Sequence, residues 1–455
     1  MSLDLGGLAA PVRTLDELAA YIRAAERPAD RWAVGVEHEK IGVLGPRFEA
    51  VPYHGRNGIR ELLDDIARSA GGTQHKHKEN GQPIALLGKD ASVTLEPGGQ
   101  LELSGAPSRS LGDIRREIEA HLAEVRKDSH GIRWLAAGYR PFGSRDEAHW
   151  MPKGRYAAMR TSLGNKGALA LDMMLMTATV QANLDWSDER DLQRKVRAAT
   201  AVSPIVTAMF ANSPLRHGRA SGYLDFRYQV WRETDPARCG LLEQMLKPGW
   251  GYQSYVEWAV DVPMLFVRDG TEYRDAQGQT FRSWLQSGRL AGGEKVQPTM
   301  SHWADHLSTL FPEVRVKRVL ELRGADVVPM PLMMALPAVW VGLLYDAGAA
   351  EAAAALTARW SFAELVDFQG EVARHALHAR GPGGATAHDL AKEVLRIARA
   401  GLQGWRAASG LDESAHLEPL SGIVQSGRTL AEEILRVYEA SGADPASVFP
   451  LWQIA

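Results

Sequence analysis

The run Trp32-Ala33-Val34-Gly35-Val36-Glu37-His38-Glu39-Lys40-Ile41-Gly42-Val43-Leu44 reads as one long β-strand. Side chains two apart on a strand share a face. Glu37 and Glu39 therefore point one way, with Val43 further along, and His38 and Lys40 point the other. Two adjacent carboxylates repel, so the pair is costly unless a cation lies between them. A solvated strand edge with alternating charges accounts for the same letters.

Working outward, Thr73–Glu79, Ile84–Leu87 and Ser92–Glu96 read as short strands. The turn signals Asn80-Gly81 and Gly88-Lys89-Asp90 separate them, the pattern of an antiparallel meander. Trp134–Tyr139, Thr177–Asp185 and Arg315–Arg323 are further strand candidates. Helical signals cover Thr14–Arg27, with Thr14 as N-cap and Glu17 three residues on, and Gly58–Ala70, closed by Gly71 and Gly72. Leu111–Ser129, Ala168–Met176 and Asp188–Phe210 carry the same period. From Met333 onward the chain is helix- and alanine-rich, and Gly381–Gly384 reads as an exposed loop that sets off a helical layer. The expected fold is α+β, an antiparallel sheet covered by helices. The whole chain is expected to form one catalytic domain with a helix-rich C-terminal layer from about residue 333.

The 455 residues are 45% hydrophobic and 24% charged, an ordinary globular balance. Net charge is −3 and the pI is near 6.6, so the chain as a whole lacks the basic footprint of a nucleic-acid binder. One cysteine, Cys239, cannot close an intrachain disulfide. Met1–Pro11 lacks the basic and apolar regions of a signal peptide. The longest apolar stretch, Leu332–Leu344, is broken by Pro337 and Gly342 and reads as a buried core element. A cytoplasmic protein is expected, without nucleic-acid or membrane partners, as a monomer or weak homodimer.

The sequence contains no G-x-x-x-x-G-K-[ST] loop, no G-x-G-x-x-G after a strand, no H-E-x-x-H and no G-x-S-x-G. Any nucleotide must then be held through metals and side chains. In Leu95–Ser104, Leu101 and Leu103 face the core and turn Glu102 outward, while Pro97-Gly98-Gly99 bends the strand beside Glu96. A carboxylate at such a bend can approach a ligand closely, and a plain surface hairpin fits equally. In Val319–Asp326, Glu321 and Arg323 share a face, either as a metal ligand beside a phosphate clamp or as a buried ion pair. Met151–Tyr156 is a basic, loop-like stretch suited to an anion. Thr179, Gln181 and Asn183 line one strand face, and Arg227 stands among aromatics, a setting that suits a carboxylate receptor or a stacked surface arginine. His75 and His77 alternate on a strand with no further ligand at metal spacing, so no zinc site is expected. The thirteen tryptophans are scattered and read as core residues.

Taken in order, GVEHEKIG (35–42), TLEPGGQLELSGAP (94–107), MPKGRYAAMR (151–160), LALDMM (169–174), TVQANLD (179–185), FANSP (210–214), VWRETD (230–235), DVPM (261–264), FPEVR (311–315), LELRGAD (320–326) and ALPAVWVGLLYD (335–346) resemble the glutamate–cysteine ligases of plants and some bacteria. The resemblance implies a funnel-shaped, six-stranded antiparallel sheet surrounded by helices, related to glutamine synthetase. It also implies an activity: ATP phosphorylates the γ-carboxylate of L-glutamate, and the amine of L-cysteine displaces the phosphate, the first step of glutathione synthesis. Two or three Mg²⁺ ions would offset the charge.

By the same resemblance Glu37, Glu39, Glu96, Glu102 and Glu321 are metal carboxylates, and Arg323 meets the transferring phosphoryl group. Arg227, with Arg155, would hold glutamate; Gln181, Asn183 and Tyr156 would meet substrate; Lys153 would contact phosphate. Ala276 and Ala291 stand where plant members carry regulatory cysteines, so no redox gating of that kind is expected. Leu265 replaces an aromatic that contributes to the cysteine pocket in plant members, which keeps a γ-glutamyl ligase with another amine acceptor in view.

Overall fold

A computed structural model describes residues 8–454, leaving aside the side chains of Ala407 and Ala408. Most of Met1–Pro11 lies outside the described residues. Strand β1 (Val34–Leu44) is the axis of the molecule. Its first half pairs with β6 (Leu101–Ser104) on one side and β8 (Val180–Leu184) on the other. Its second half pairs with two short strands, β2 (Glu49–Ala50) and β7 (Arg133–Leu135). The meander β3 (His75–Glu79), β4 (Gln82–Leu87) and β5 (Ser92–Leu95) extends the sheet beyond β6. Beyond β8 lie β10 (Leu320–Leu322) and then β9 (Val314–Val316). The order is β9-β10-β8-β1-β6-β5-β4-β3, and every pairing in it is antiparallel. The sheet has ten strands where six were expected, because the meander and the two short partners of β1 all join it.

Local chemistry explains the connections. The β3–β4 turn holds Asn80 at φ 48° and Gly81 at φ 76°, the left-handed pair that lets a two-residue turn follow the strand twist. At the bend after β5, a Cβ on Gly98 would lie 2.2 Å from the Leu175 carbonyl oxygen, so only glycine fits. The expected strand Arg315–Arg323 is instead the β9–β10 hairpin. Lys317, Arg318 and Val319 form its turn, with the Lys317 amide donating to the Val319 carbonyl at 3.0 Å. Alternation breaks at Lys317-Arg318 and Val319-Leu320 but resumes in the same phase, which hides the turn in the sequence. Trp134–Tyr139 contributes a strand only as far as Leu135.

Helix α1 (Leu15–Arg23) carries the expected capping box between Thr14 and Glu17. Helices α2 (Ile59–Ser69) and α3 (Leu111–Asp128) cover one face of the sheet, against β4 and β1 respectively. Helix α4 (Gly154–Leu163) follows the meander, and α5 (Ala170–Met176) leads into β8. Helix α6 (Glu189–Met209) is buried without interruption from Val202 to Met209. After it come α7 (Phe226–Arg232), α8 (Ala335–Leu344) and α9 (Ala387–Ser409). All ten residues of α8 are buried, so its apolar character belongs to the core. The loop at Gly381–Gly384 is a short 3₁₀ turn, and the helices on both sides of it pack on α6. Among the described residues no single helix is long and apolar enough to cross a membrane.

Candidate active site on the polar face of the sheet

The period of two along β1 does what the sequence implied. Glu37 and Glu39 face one side, while His38 and Lys40 are buried on the other. Register adds what parity cannot. Glu39 stands opposite Glu102 across β1 and β6, and Glu37 stands opposite Gln181 across β1 and β8. Asn183 stands opposite Glu321 across β8 and β10. Glu96 closes the row at the Pro97-Gly98-Gly99 bend, where its amide donates to the Gln100 carbonyl at 2.9 Å. Seven residues from four strands and a bend thus share one face.

That face has two electrostatic ends. At the acidic end, burial pushes Glu37, Glu39, Glu96 and Glu102 above the ordinary carboxylate range. Mutual repulsion adds to it: Glu321 and Glu102 act on Glu37, which reaches about 7, and Glu96 and Glu102 act on Glu39. Hydrogen bonds orient the carboxylates without neutralising them. The Asn183 amide donates to Glu37 at 3.1 Å, the Thr179 backbone to Glu39 at 3.0 Å, and the Thr94 hydroxyl to Glu102 at 2.5 Å.

The other end is cationic. Burial alone would raise Glu321, but Arg315, Lys317 and Arg323 outweigh it and hold this carboxyl well below its usual range. Arg315 donates to it through Nε, Lys317 at 3.1 Å and Arg323 at 3.0 Å. Arg323 also donates to Gln181 Oε1 at 2.9 Å and lies over the rings of Trp231 and Phe311. Arg315 and Lys317 were not singled out in the sequence. Their signal is the alternation of Arg315 and Lys317 with Glu321 and Arg323, which becomes a cross-strand cluster only once the hairpin is known.

The remaining residues take varied places. Arg227, on α7, is buried, and its two terminal nitrogens donate to the carbonyls of Gly324 and Arg323 at 3.0 Å each, while Nε is without a partner. Its fork is thus engaged by backbone. Arg227, Trp231, Phe311, Glu313 and Arg323 line a cavity of about 20 Å³, room for a water molecule. Arg155 and Lys153 lie at the acidic end, where both lower the Glu96 carboxyl against the effect of burial. Arg155 bonds Ser308 at 3.1 Å, and its ring neighbour is Phe266, one residue beyond Leu265. Met151–Tyr156 is only partly a loop, since α4 begins at Gly154. Tyr156 donates its hydroxyl to the Leu95 carbonyl and so ties α4 to β5.

Among the described residues no three acidic, histidine or cysteine side chains form a ready-made metal cage. The donors on this face still suit a hard cation. They are carboxylates and amide oxygens, and the buried Oδ1 of Asn183, beside Glu37, has no partner. Mg²⁺ is commonly held by one or two carboxylates, with substrate phosphates and water completing its shell.

The model of glutamate–cysteine ligase family 2 (GCS2) matches residues 33–448. The chain belongs to this family. It is 39% identical over 97% of its length to a chloroplastic glutamate–cysteine ligase of Brassica juncea, of which 84% is covered. It is likewise 39% identical to that of Arabidopsis thaliana, over 97% of this chain and 82% of the relative. A solved glutamate–cysteine ligase from Francisella tularensis, in complex with AMP, has a TM-score of 0.54 at 11% identity, covering 92% of this chain and 87% of that one. That likeness speaks for the fold alone. The expected cytoplasmic location is corrected here: these ligase relatives are named chloroplastic, which overturns it.

Proposed function

We propose that this glutamate–cysteine ligase family member joins the γ-carboxylate of L-glutamate to the amine of L-cysteine through γ-glutamyl phosphate, using ATP, in the first step of glutathione synthesis. What carries the reading is the two-ended charge layout on one sheet face. Four under-compensated carboxylates stand beside a buried cluster of arginine and lysine. Phosphoryl transfer to a carboxylate brings two anions together, so it needs cations on both sides of the transferring group.

Glu37, Glu39, Glu96 and Glu102 would hold the metal ions. Bound Mg²⁺ supplies charge neutralisation of the ATP phosphates. Glu321 serves chiefly as the shared anion of Arg315, Lys317 and Arg323, which aims Arg323 at the transferring phosphoryl oxygens. Arg227 fixes the backbone of Arg323 and Gly324 and turns positive charge toward the glutamate carboxylates. Lys153 and Arg155 offset the nucleotide phosphates near Glu96. Gln181 keeps Arg323 in register, and Asn183 offers its free amide oxygen beside Glu37. The single catalytic unit, the funnel-like, glutamine-synthetase-like curvature and the monomeric or weakly dimeric state belong to the same proposal.

A second reading, ligation to another amine, draws on Leu265. This buried aliphatic residue stands where an aromatic was expected. One assay separates the two: purified protein with ATP, Mg²⁺, glutamate and a panel of amines, followed by phosphate release and product mass. Stimulation by cysteine with formation of γ-glutamylcysteine is the expected result. Stimulation by another amine but not cysteine would overturn the acceptor assignment, and no glutamate-dependent phosphate release would overturn the ligase reading.

A further inference from the structure

Two carboxyls that the proposed chemistry does not use meet beside Arg227. Asp225 caps the start of α7, its Oδ1 accepting the Tyr228 amide at 2.8 Å. Asp326 lies just past β10, in the segment whose carbonyls at Arg323 and Gly324 receive the Arg227 guanidinium. Both aspartates are fully buried, and their carboxyls are within hydrogen-bonding reach of each other. The stretch 210–214 supplies their seat. The Asn212 amide donates to Asp326 Oδ2 at 2.8 Å, and the Ser213 hydroxyl reaches that oxygen at 2.7 Å and Asp225 Oδ1 at 3.4 Å. A Cβ on Gly138 would lie 2.0 Å from the Asp326 carboxyl carbon, so the chain wraps closely around this group.

The donors do not suffice for two anions. Ser213 has one hydroxyl hydrogen, and its Oγ already accepts the Arg227 amide at 3.1 Å. Oδ2 of Asp225 and Oδ1 of Asp326 have no donor. Arg227 is the cation that acts on both carboxyls. It also faces Glu39 on β1 and Glu313, the residue before β9. Other titratable neighbours are turned elsewhere: Tyr228 gives its hydroxyl to Glu313, Tyr139 gives its own to Asp172, and Arg374 lies over Tyr223. Burial and mutual repulsion therefore both favour a proton on one of the two aspartates. One proton leaves the pair a single negative charge, the match of the single positive charge on Arg227.

We infer that Asp225 and Asp326 hold one proton between them in the folded protein, and that this acid pair positions Arg227 by tying the start of α7 to the segment after β10. Arg227 is then held at both ends, its guanidinium on the Arg323 and Gly324 carbonyls and its backbone through Ser213 and the paired acids. The shared proton stands on the geometry of the pair; only its consequence for glutamate rests on the proposed ligase reading.

Proton release on guanidinium unfolding of the full chain at pH 7, read with an indicator dye in weak buffer, counts this proton. Both aspartates are ionised in the unfolded chain at that pH, so the pair must give its proton up. Asp225→Asn and Asp326→Asn, shown to be folded by circular dichroism, should each release about one proton fewer than the parent. The double variant should release no fewer than either single, because there is one proton to lose. Either single alone decides whether a proton is there. Unchanged release in the singles, or a further proton lost in the double, would overturn the inference. In the ligase assay, KM for glutamate should climb about tenfold between pH 6 and 9 in the parent, with a smaller change in kcat. It should stay nearly flat in Asp326→Asn, whose amide supplies the hydrogen at every pH. Parallel KM profiles would overturn the positioning role. A parent without glutamate-dependent phosphate release would sink the ligase reading instead and leave the proton count standing.

Discussion

Glu39 on β1 stands directly across from Glu102 on β6, and both side chains project from the same face of the sheet. Like charges placed opposite on neighbouring strands destabilise the pairing by up to about 1 kcal/mol. Glu102→Gln keeps an oxygen for the Thr94 hydroxyl and removes the charge. Without Mg²⁺ the variant should therefore be more stable than the parent by about 1 kcal/mol in urea unfolding. Glutamate-dependent turnover should fall about 100-fold. A variant with unchanged stability and unchanged turnover would remove Glu102 from the proposed cation site.

The lone thiol makes a second expectation. Cys239 is buried, and burial is the main cause that pushes its thiol up to about 12. At pH 8 it is therefore an unreactive neutral thiol. Ellman's reagent should find no accessible thiol in the native protein and one after guanidinium unfolding. Turnover should be indifferent to dithiothreitol and to mild oxidation, since Ala276 and Ala291 supply no sulfur. Rapid native labelling, or activity that follows the redox state, would contradict this.

Close backbone contact between α8 and α9 makes a third. A Cβ on Gly401 would lie 1.7 Å from the Gly342 carbonyl oxygen, and one on Gly342 would lie 2.2 Å from that of Ala398. Gly401→Ala must force the helices apart, and a loss of about 3 kcal/mol is expected from overpacking. Gly422 provides the control, since it is exposed on its helix and nothing lies within 4 Å of its added Cβ. Gly422→Ala should stabilise by about 0.5–1 kcal/mol. Equal effects in denaturant unfolding would show that helix spacing is not the cause.

The acidic positions were legible because a strand's period of two is a local rule: Leu101 and Leu103 turn Glu102 outward whatever else the chain does. Their pairing was not legible. The Glu39–Glu102 register depends on how far the Pro97-Gly98-Gly99 bend returns the chain, a distance no periodicity contains. The Arg315–Glu321 pair was hidden for a related reason, since alternation resumes in the same phase after the three-residue turn that reverses the strand. Arg227 was found by its aromatic setting, but its attachment to the carbonyls of Arg323 and Gly324 is a contact between α7 and the segment after β10, nearly a hundred residues on in the chain. Relations within an element could be read in advance, whereas relations between elements required the fold or the family resemblance.

A fourth expectation concerns acid. His306, on the helix Met300–Leu307, is buried between Phe281 and Trp303, and its Nε2 meets the Ala259 carbonyl at 2.7 Å. Burial lowers the imidazole from 6.5 to about 4 against the pull of that carbonyl, and Arg238 lowers it further. The native state therefore keeps His306 neutral at a pH where the unfolded chain has already taken a proton. The stabilisation is complete above pH 6.5 and is lost as pH falls through about 4, by on the order of 3 kcal/mol for this group. His306→Gln retains a donor for the Ala259 carbonyl and cannot titrate. The variant should be somewhat less stable at pH 7, where ring stacking is lost, yet its stability should decline less steeply between pH 6.5 and 4. Urea midpoints across that window decide it, because only the slope, not the stability at any one pH, separates a titrating histidine from a merely well-packed one.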